Sequence, residues 1–123
     1  MRGATTVAML AGAALIEWSA SIHLDLWLAG YRSVPTIGTL FLAQAVAGFT
    51  LGATVALFRR TLPALAGAAL LLGTAGGFLW SVTWGLFGFK DLLSAPFGVE
   101  ALVVELVGAA VLATACGLRR RSG

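Results

Sequence analysis

Four long apolar segments occupy most of this 123-residue chain and constrain its fold more than any other feature. They run from Ala4 to Leu28, Thr36 to Phe58, Ala64 to Phe89 and Phe97 to Leu118. A helix needs about 20 mostly apolar residues to cross a bilayer, because each residue adds about 1.5 Å along the axis. Hydrophobic residues make up 59% of the chain and charged residues only 11%, unlike a water-soluble domain. The sequence therefore predicts an all-α, polytopic membrane protein.

Short connections containing Pro35, Pro63 and Pro96 join these segments. Each proline stands where a helix is predicted to begin, and there its missing N–H costs no helical hydrogen bond. Because short connections make consecutive helices run in opposite directions, we expect one antiparallel bundle of four transmembrane helices. Residues 1–123 are predicted to form this single domain.

The distribution of basic residues predicts the orientation in the membrane. Only Arg32 and Lys90 lie on the side opposite the termini, whereas six arginines lie on the side of the termini. These six are Arg2, Arg59, Arg60, Arg119, Arg120 and Arg121. The positive-inside rule then places both termini in the cytoplasm and the chain in the inner (plasma) membrane. The net charge of +3 comes mostly from these arginines, which predicts lipid headgroups, and not nucleic acid, as their partners.

A cleavable signal peptide is an alternative interpretation of the first segment. Arg2, the apolar run that follows it and the small residues Ser19, Ala20 and Ser21 imitate such a peptide. Glu17 interrupts the run, however, and apolar residues then resume up to the end of the segment, which makes it long enough to span.

Polar side chains are concentrated in the half of the segments predicted to lie toward the outer face. Counting residues from the outer ends places one set roughly 14 Å down, near the bilayer midplane. This set consists of Glu17, Gln44, Trp80 and Glu105. A second set, about 6 to 8 Å deep, consists of His23, Trp84 and Glu100. The cytoplasmic half of every segment lacks Asp, Glu, His and Lys.

Glu17 and Glu105 are the leading candidates for a binding site. An unpaired charge at mid-membrane costs at least about 2.5 to 3.5 kcal/mol, so both should face the bundle interior. We expect the two carboxyl groups to meet each other or Gln44, with a proton or a cation shared between them. The alternative is that these side chains and the Trp80 indole form a structural hydrogen-bond network between helices.

His23 is predicted to meet Glu100 across a helix interface, or to lie beside Trp27 as an interfacial residue. Trp80 and Trp84 share a helix face at the depths of the two polar sets, which favours an aromatic wall for an organic cation or a flat amphiphile. Packing of these rings against lipid is the alternative.

Cofactors and enzymatic chemistry are not predicted. A metal site from Glu17, His23, Glu100 and Glu105 is a weaker alternative, since the spacing of these residues matches no metal-binding motif. The chain has one histidine and one cysteine, Cys116, and no motif of a nucleotide-binding loop or a hydrolase.

Several stretches resemble uncharacterised small four-helix bacterial membrane proteins. They are His23-Leu-Asp-Leu-Trp27, Gly30-Tyr-Arg, Pro35-Thr-Ile-Gly38, Leu40-Phe-Leu-Ala-Gln44, Gly76-Gly-Phe-Leu-Trp80 and Gly85-Leu-Phe-Gly-Phe89. This resemblance covers most of the chain and implies membrane location, without an activity.

A looser resemblance is to small multidrug resistance transporters, through Ala13-Ala-Leu-Ile-Glu17 and Trp80-Ser. It implies proton-coupled exchange of organic cations, with a role for Glu17. Glu100 and Glu105 in the fourth segment depart from that family's pattern, as does the strong bias of positive charge to one side.

We therefore expect a non-enzymatic membrane protein whose outer-half pocket binds or conducts a proton, a cation or a small amphiphile. An accessory subunit of a larger membrane complex is the alternative. Gly48-x-x-x-Gly52 and Gly73-x-x-x-Gly77 are predicted to form close helix contacts, either within the bundle or in a homo-oligomer.

Overall fold

The computed structural model describes residues 2–95 and 97–122, and in this part of the chain the regular structure is helical. Four α-helices follow one another, and a short 3-10 helix at Tyr31–Ser33 lies between the first two. They are α1 (Arg2–Ala29), α2 (Ile37–Phe58), α3 (Thr61–Thr83) and α4 (Gly98–Ser122). All four are long and apolar enough to cross a membrane. The prediction of an all-α protein with four helices long and apolar enough to cross a membrane is confirmed for this part of the chain.

Two of the three prolines lie close to the first residues of helices in the structure, as predicted. Pro35 precedes α2 by two residues, and Pro63 is the third residue of α3, which begins at Thr61. Both positions avoid the loss of a helical hydrogen bond, because the first N–H groups of a helix have no intrahelical acceptor. The expectation for Pro96 lies outside the described residues.

The third helix ends at Thr83, and not at Phe89 as the apolar run predicts. Gly85 and Gly88 have φ angles of 83° and 78°, in the left-handed region that glycine adopts at little cost. Leu86 and Phe89 exchange two backbone hydrogen bonds of 2.7 and 2.9 Å within this turn. The predicted helix was too long because its end was placed by hydrophobicity alone, and the turn that these glycines permit is also apolar.

An apolar core joins all four helices at the end of the bundle where the chain termini lie. It consists of Met9, Ala13, Ile16, Val55, Ala64, Ala68, Leu71, Ala109, Leu112 and Ala115. Small residues let the helices approach closely here, as in other membrane bundles. A Cβ atom on Gly48 of α2, for example, would lie 2.8 Å from the Ala20 Cβ atom of α1.

Buried side chains on α1 form one continuous seam. Residues separated by alternating steps of four and three are buried along its length, namely Thr5, Met9, Gly12, Ile16, Ser19 and His23. This spacing keeps one face of a helix against its neighbours. α1 packs against α2 and α4, and α3 packs against α4, whereas the contact between α2 and α3 is sparser. The bundle is therefore tight around α1 and looser between α2 and α3.

Candidate functional site: a buried polar network beside an apolar cavity

A hydrogen-bond network between three helices lies on the buried seam of α1. The Ser19 hydroxyl donates to Glu105 Oε2 of α4 at 2.9 Å, and Gln44 Nε2 of α2 donates to Ser19 Oγ at 3.0 Å. Ser19 is 0% exposed and Glu105 is 1% exposed. The Ser19 hydroxyl thus acts as both donor and acceptor between two other helices.

His23 lies one turn further along α1 and extends this network. Its Nδ1 atom donates to the Ser19 backbone carbonyl at 2.8 Å, because a carbonyl can only accept. The Nε2 atom faces Glu105 Oε2 at 4.0 Å. This separation is too long for a direct hydrogen bond.

A cavity of about 440 Å³ lies beside the network, at the end of the bundle opposite the apolar core. His23, Gln44 and Glu105 contribute to its polar wall, while most of its other lining residues are apolar. Its volume falls in the range of about 300 to 1,000 Å³ that is typical of small-molecule sites.

The cavity opens between α2 and α3. Ala43 of α2 and Gly73 of α3 line it and are also exposed on the outside of the bundle. Apart from the backbone of α3 itself, no atom of the described residues would lie within 4 Å of a Cβ atom built on Gly73 or Gly77. The predicted close contact at Gly73-x-x-x-Gly77 is therefore wrong for this bundle, because these glycines border open space.

Aromatic side chains close the cavity at the end that holds the 3-10 helix. The Tyr31 ring stacks on Phe41 with centroids 4.6 Å apart, and it meets Phe89 edge-on at 5.7 Å. Phe41 also meets the His23 ring at 5.0 Å. Tyr31, Phe89 and Asp91 together form what we call the cover of the cavity.

Hydrogen bonds fix the cover to the helices. Ser81 Oγ, at the buried end of α3, accepts from the Asp91 N–H at 3.0 Å and donates to the Phe89 carbonyl at 3.3 Å. The Asp91 carboxylate accepts from the Leu92 N–H at 2.9 Å and from the Tyr31 hydroxyl. Burial raises the pKa of Tyr31 above its usual value, and the charge and hydrogen bond of Asp91 raise it further.

The side-chain oxygen of Gln44, in the cavity wall, has no hydrogen-bond partner among the described residues. Gln44 is 7% exposed, its Nε2 atom is bonded to Ser19, and its Oε1 atom is buried without a hydrogen bond. Buried polar atoms almost always have a partner, since leaving one unsatisfied costs about 1 to 3 kcal/mol. This acceptor therefore indicates where a bound molecule can contribute a donor.

Glu17 does not join the site. Its side chain packs against Gly52 of α2, is partly exposed and does not line the cavity. Glu17 lies two positions before Ser19, so its side chain points about 200° away from that of Ser19 around α1. The prediction that Glu17 meets Glu105 is wrong, whereas the predicted association of Glu105 with Gln44 occurs through Ser19.

The other predicted site residues also lie apart from the cavity. Glu100 is exposed on α4, so the prediction that it meets His23 is wrong, and Glu105 takes that place. Trp80 and Trp84 are 54% and 72% exposed, and their rings lie 4.9 Å apart without lining the cavity. The prediction that they form an aromatic wall is wrong. The aromatic residues that line the cavity are instead Tyr31, Phe41, Phe78, Phe89 and Phe97.

The metal site considered from the sequence is not assembled. His23 and Glu105 face each other, but Glu17 packs against Gly52 and Glu100 is exposed, and within residues 2–95 and 97–122 no three His, Cys, Asp or Glu side chains group together.

Sequence reasoning missed Ser19, Ser81 and Asp91. Ser19 could have been found, because it lies four positions before His23 and continues the spacing of four and three along α1. Ser81 and Asp91 could not have been found from the sequence. Their contact forms only because α3 ends at Thr83, before the end of the apolar run, and a turn follows it.

Chemically, the site offers hydrogen-bond acceptors within an apolar enclosure. Gln44 Oε1, His23 Nε2 and the Glu105 carboxyl are all on its polar side. Comparison with known proteins yields no match to a family model, a curated protein or a solved structure. The site's own geometry therefore carries the functional argument.

Proposed function

We propose that this chain is a non-enzymatic protein of the inner membrane that binds a small amphiphile inside its helix bundle. The four helices cross the bilayer antiparallel, with both termini in the cytoplasm, in agreement with the six arginines on that side. The cavity then lies in the outer half of the membrane, and the cover faces the external side.

The observation that carries this proposal is an apolar cavity of about 440 Å³ whose wall contains a buried polar network. An amphiphile matches both parts, because its chain can contact apolar helix surface while its head reaches the polar groups. Conduction of a proton between two acids is less well supported, since Glu17 and Glu105 face different neighbours.

The proposal is tested with 4-hexylphenol as the probe, by calorimetric titration of the full chain in detergent micelles. Gly77 lines the cavity and has open space around it, so Gly77→Leu should fill the cavity without disturbing the helices. Gly76→Leu adds the same side chain one position away, outside the cavity lining, and is the matched control.

We expect saturable binding to the wild type and to Gly76→Leu, with binding lost in Gly77→Leu. Equal binding by all three proteins, or none by the wild type, would overturn the proposed function. Melting curves of each variant check that the fold is intact.

An accessory subunit of a larger membrane complex is the second candidate. α3 buries a smaller share of its span than the other three helices, and Gly76 on this helix is exposed with open space around it. If α3 contacts another protein, Gly76→Leu should shift the native complex to a smaller size while Gly77→Leu should not. A ligand-binding protein is therefore affected by Gly77→Leu and not by Gly76→Leu, whereas an accessory subunit is affected by Gly76→Leu and not by Gly77→Leu.

A further inference from the structure

We propose that the ligand is a neutral amphiphile whose head donates a hydrogen bond, such as a phenol or hydroquinone on an alkyl chain. We further infer that it enters sideways from the lipid, through the opening between α2 and α3. This inference rests on the proposed function and specifies which chemical class the cavity takes.

The hydrogen-bonding character of the polar wall determines the first requirement. Gln44 Oε1 is an unpartnered acceptor on a residue that is 93% buried, since 7% of it is exposed. His23 Nε2 is a second acceptor in the neutral ring, because Nδ1 carries the proton that is donated to Ser19. A head group with O–H or N–H satisfies these atoms, whereas a head with acceptors alone cannot.

The charge of the wall determines the second requirement. An isolated carboxylate at this depth would cost at least about 2.5 kcal/mol, so the Glu105 carboxyl retains its proton beside the neutral His23 ring, and the pair carries no charge. Asp91 and Tyr31 are the other titratable residues that line the cavity, and the Asp91 carboxylate already accepts from Tyr31 and Leu92. The polar wall at Gln44, His23 and Glu105 therefore offers no negative charge to a cationic head, and the Asp91 carboxylate lies apart from it at the cover, hydrogen-bonded to the Leu92 N–H.

The shape of the enclosure determines the route of entry. Tyr31, Phe89 and Asp91 close the aqueous end through ring stacking and hydrogen bonds. The opposite side, between Ala43 and Gly73, is apolar and exposed to the surroundings of the bundle. In a bilayer these surroundings are acyl chains, from which an amphiphile partitions without crossing the cover.

The closing experiment compares three probes that differ only in the head group. They are 4-hexylphenol, its methyl ether 4-hexylanisole, which lacks the O–H donor, and the cationic 4-hexylbenzylammonium. Each is titrated calorimetrically into the wild type and into Gln44→Met, which removes the amide and keeps a side chain of similar length. Because Gly77→Leu fills the cavity, any binding that this variant retains measures association outside the cavity.

We expect the phenol to bind the wild type about tenfold more tightly than the ether or the ammonium probe, equivalent to about 1.4 kcal/mol. In Gln44→Met the preference over the ether should fall to about twofold or less. Equal affinities in the wild type, with binding still abolished by Gly77→Leu, would overturn the donor requirement while leaving the proposed function intact. Tighter binding of the ammonium probe would instead identify a cation site.

The lateral entrance is tested separately by cross-linking α2 to α3. Ala43→Cys and Gly73→Cys are introduced together in a Cys116→Ala background and joined with a bifunctional maleimide. We expect association of 4-hexylphenol to slow about tenfold or more after cross-linking, with each single cysteine variant as control. An unchanged association rate would overturn entry between these helices.

Discussion

A single hydroxyl group connects three helices at the centre of the polar network. Ser19 donates to Glu105 and accepts from Gln44, and all three residues are buried. Interhelical hydrogen bonds of this kind hold membrane bundles together, because few alternative partners exist within the bilayer. Ser19 therefore positions the two side chains that line the polar wall of the cavity.

Replacing Ser19 with alanine should destabilise the bundle by about 1 to 3 kcal/mol. Two interhelical hydrogen bonds are lost, and each contributes about 0.6 to 1.7 kcal/mol in membrane proteins. The free energy is measured by unfolding in mixed detergent micelles. Ser21→Ala, on the exposed face two residues along, is the control and should change stability by less than about 0.5 kcal/mol. Equal effects of the two changes would remove Ser19 from its central role.

Tyr31 should titrate above the usual value of about 10, because burial and Asp91 raise its pKa. Since the neutral phenol is favoured in the folded state, this contribution to stability is fully present below about pH 10 and is lost as the pH rises through the folded-state pKa. The chain has one tyrosine, so the ultraviolet absorbance of the phenolate reports Tyr31 alone.

Asp91→Asn should move this titration back toward the usual value, because it removes the neighbouring negative charge. Asp25→Asn, at an exposed position of α1, is the matched control and should leave the titration unchanged. A wild-type titration at or below the usual value would contradict the geometry of the cover.

At the residue scale, the sequence predicted the polar half of the bundle and the association of Glu105 with Gln44. It did not predict which acid is buried, because hydrophobicity and depth place Glu17 and Glu105 equally. The difference depends on rotation about the helix axis. The seam through Ser19 and His23 fixes that rotation on α1, and Glu17 lies off the seam.

At the scale of helices, the glycines of α2 and α3 have opposite roles. A Cβ atom on Gly48 would lie 2.8 Å from the Ala20 Cβ atom of α1, whereas a Cβ atom on Gly73 or Gly77, which border the cavity, would have open space around it. Spacing of four residues between glycines occurs in both helices, so the sequence could not distinguish a packing contact from an opening. The positions of neighbouring helices decide between them.

Gly48→Ala should destabilise the contact between α1 and α2 by about 1 to 3 kcal/mol, because the added methyl group meets the Ala20 Cβ atom. The higher helix propensity of alanine offsets at most about 1 kcal/mol of this loss. Gly76→Ala provides the same change in propensity with open space around it, and should be neutral or slightly stabilising. Unfolding in mixed micelles compares the two, and equal stability would contradict the close packing.

At the scale of the whole molecule, the four apolar spans were predictable because length and composition are sufficient for them. The residue at which α3 ends was not predictable, because the turn at Gly85 and Gly88 lies within an apolar run. This turn brings Asp91 and Phe89 over the cavity, so the cover depends on a feature that hydrophobicity does not report.

The proposed orientation predicts that the segment between α3 and α4 faces the outside of the cell. Ser94→Cys in a Cys116→Ala background should react with a membrane-impermeant maleimide in intact cells, because Ser94 is exposed. A green fluorescent protein fused to the C-terminus should fluoresce, since that end is cytoplasmic in the proposed topology. Labelling of Ser94→Cys only after the cells are permeabilised would reverse the orientation.

The most direct test of an amphiphile site in the cavity is photo-cross-linking of an alkylphenol that carries a diazirine on its chain, with the adducts mapped by mass spectrometry. The account predicts adducts on the cavity-lining positions of α2 and α3, such as Ala47, Leu70 and Thr74, and their suppression by excess 4-hexylphenol and by Gly77→Leu. Adducts spread over the outer faces of the helices, at Leu57, Leu72 and Trp84, without suppression by competitor, would contradict it.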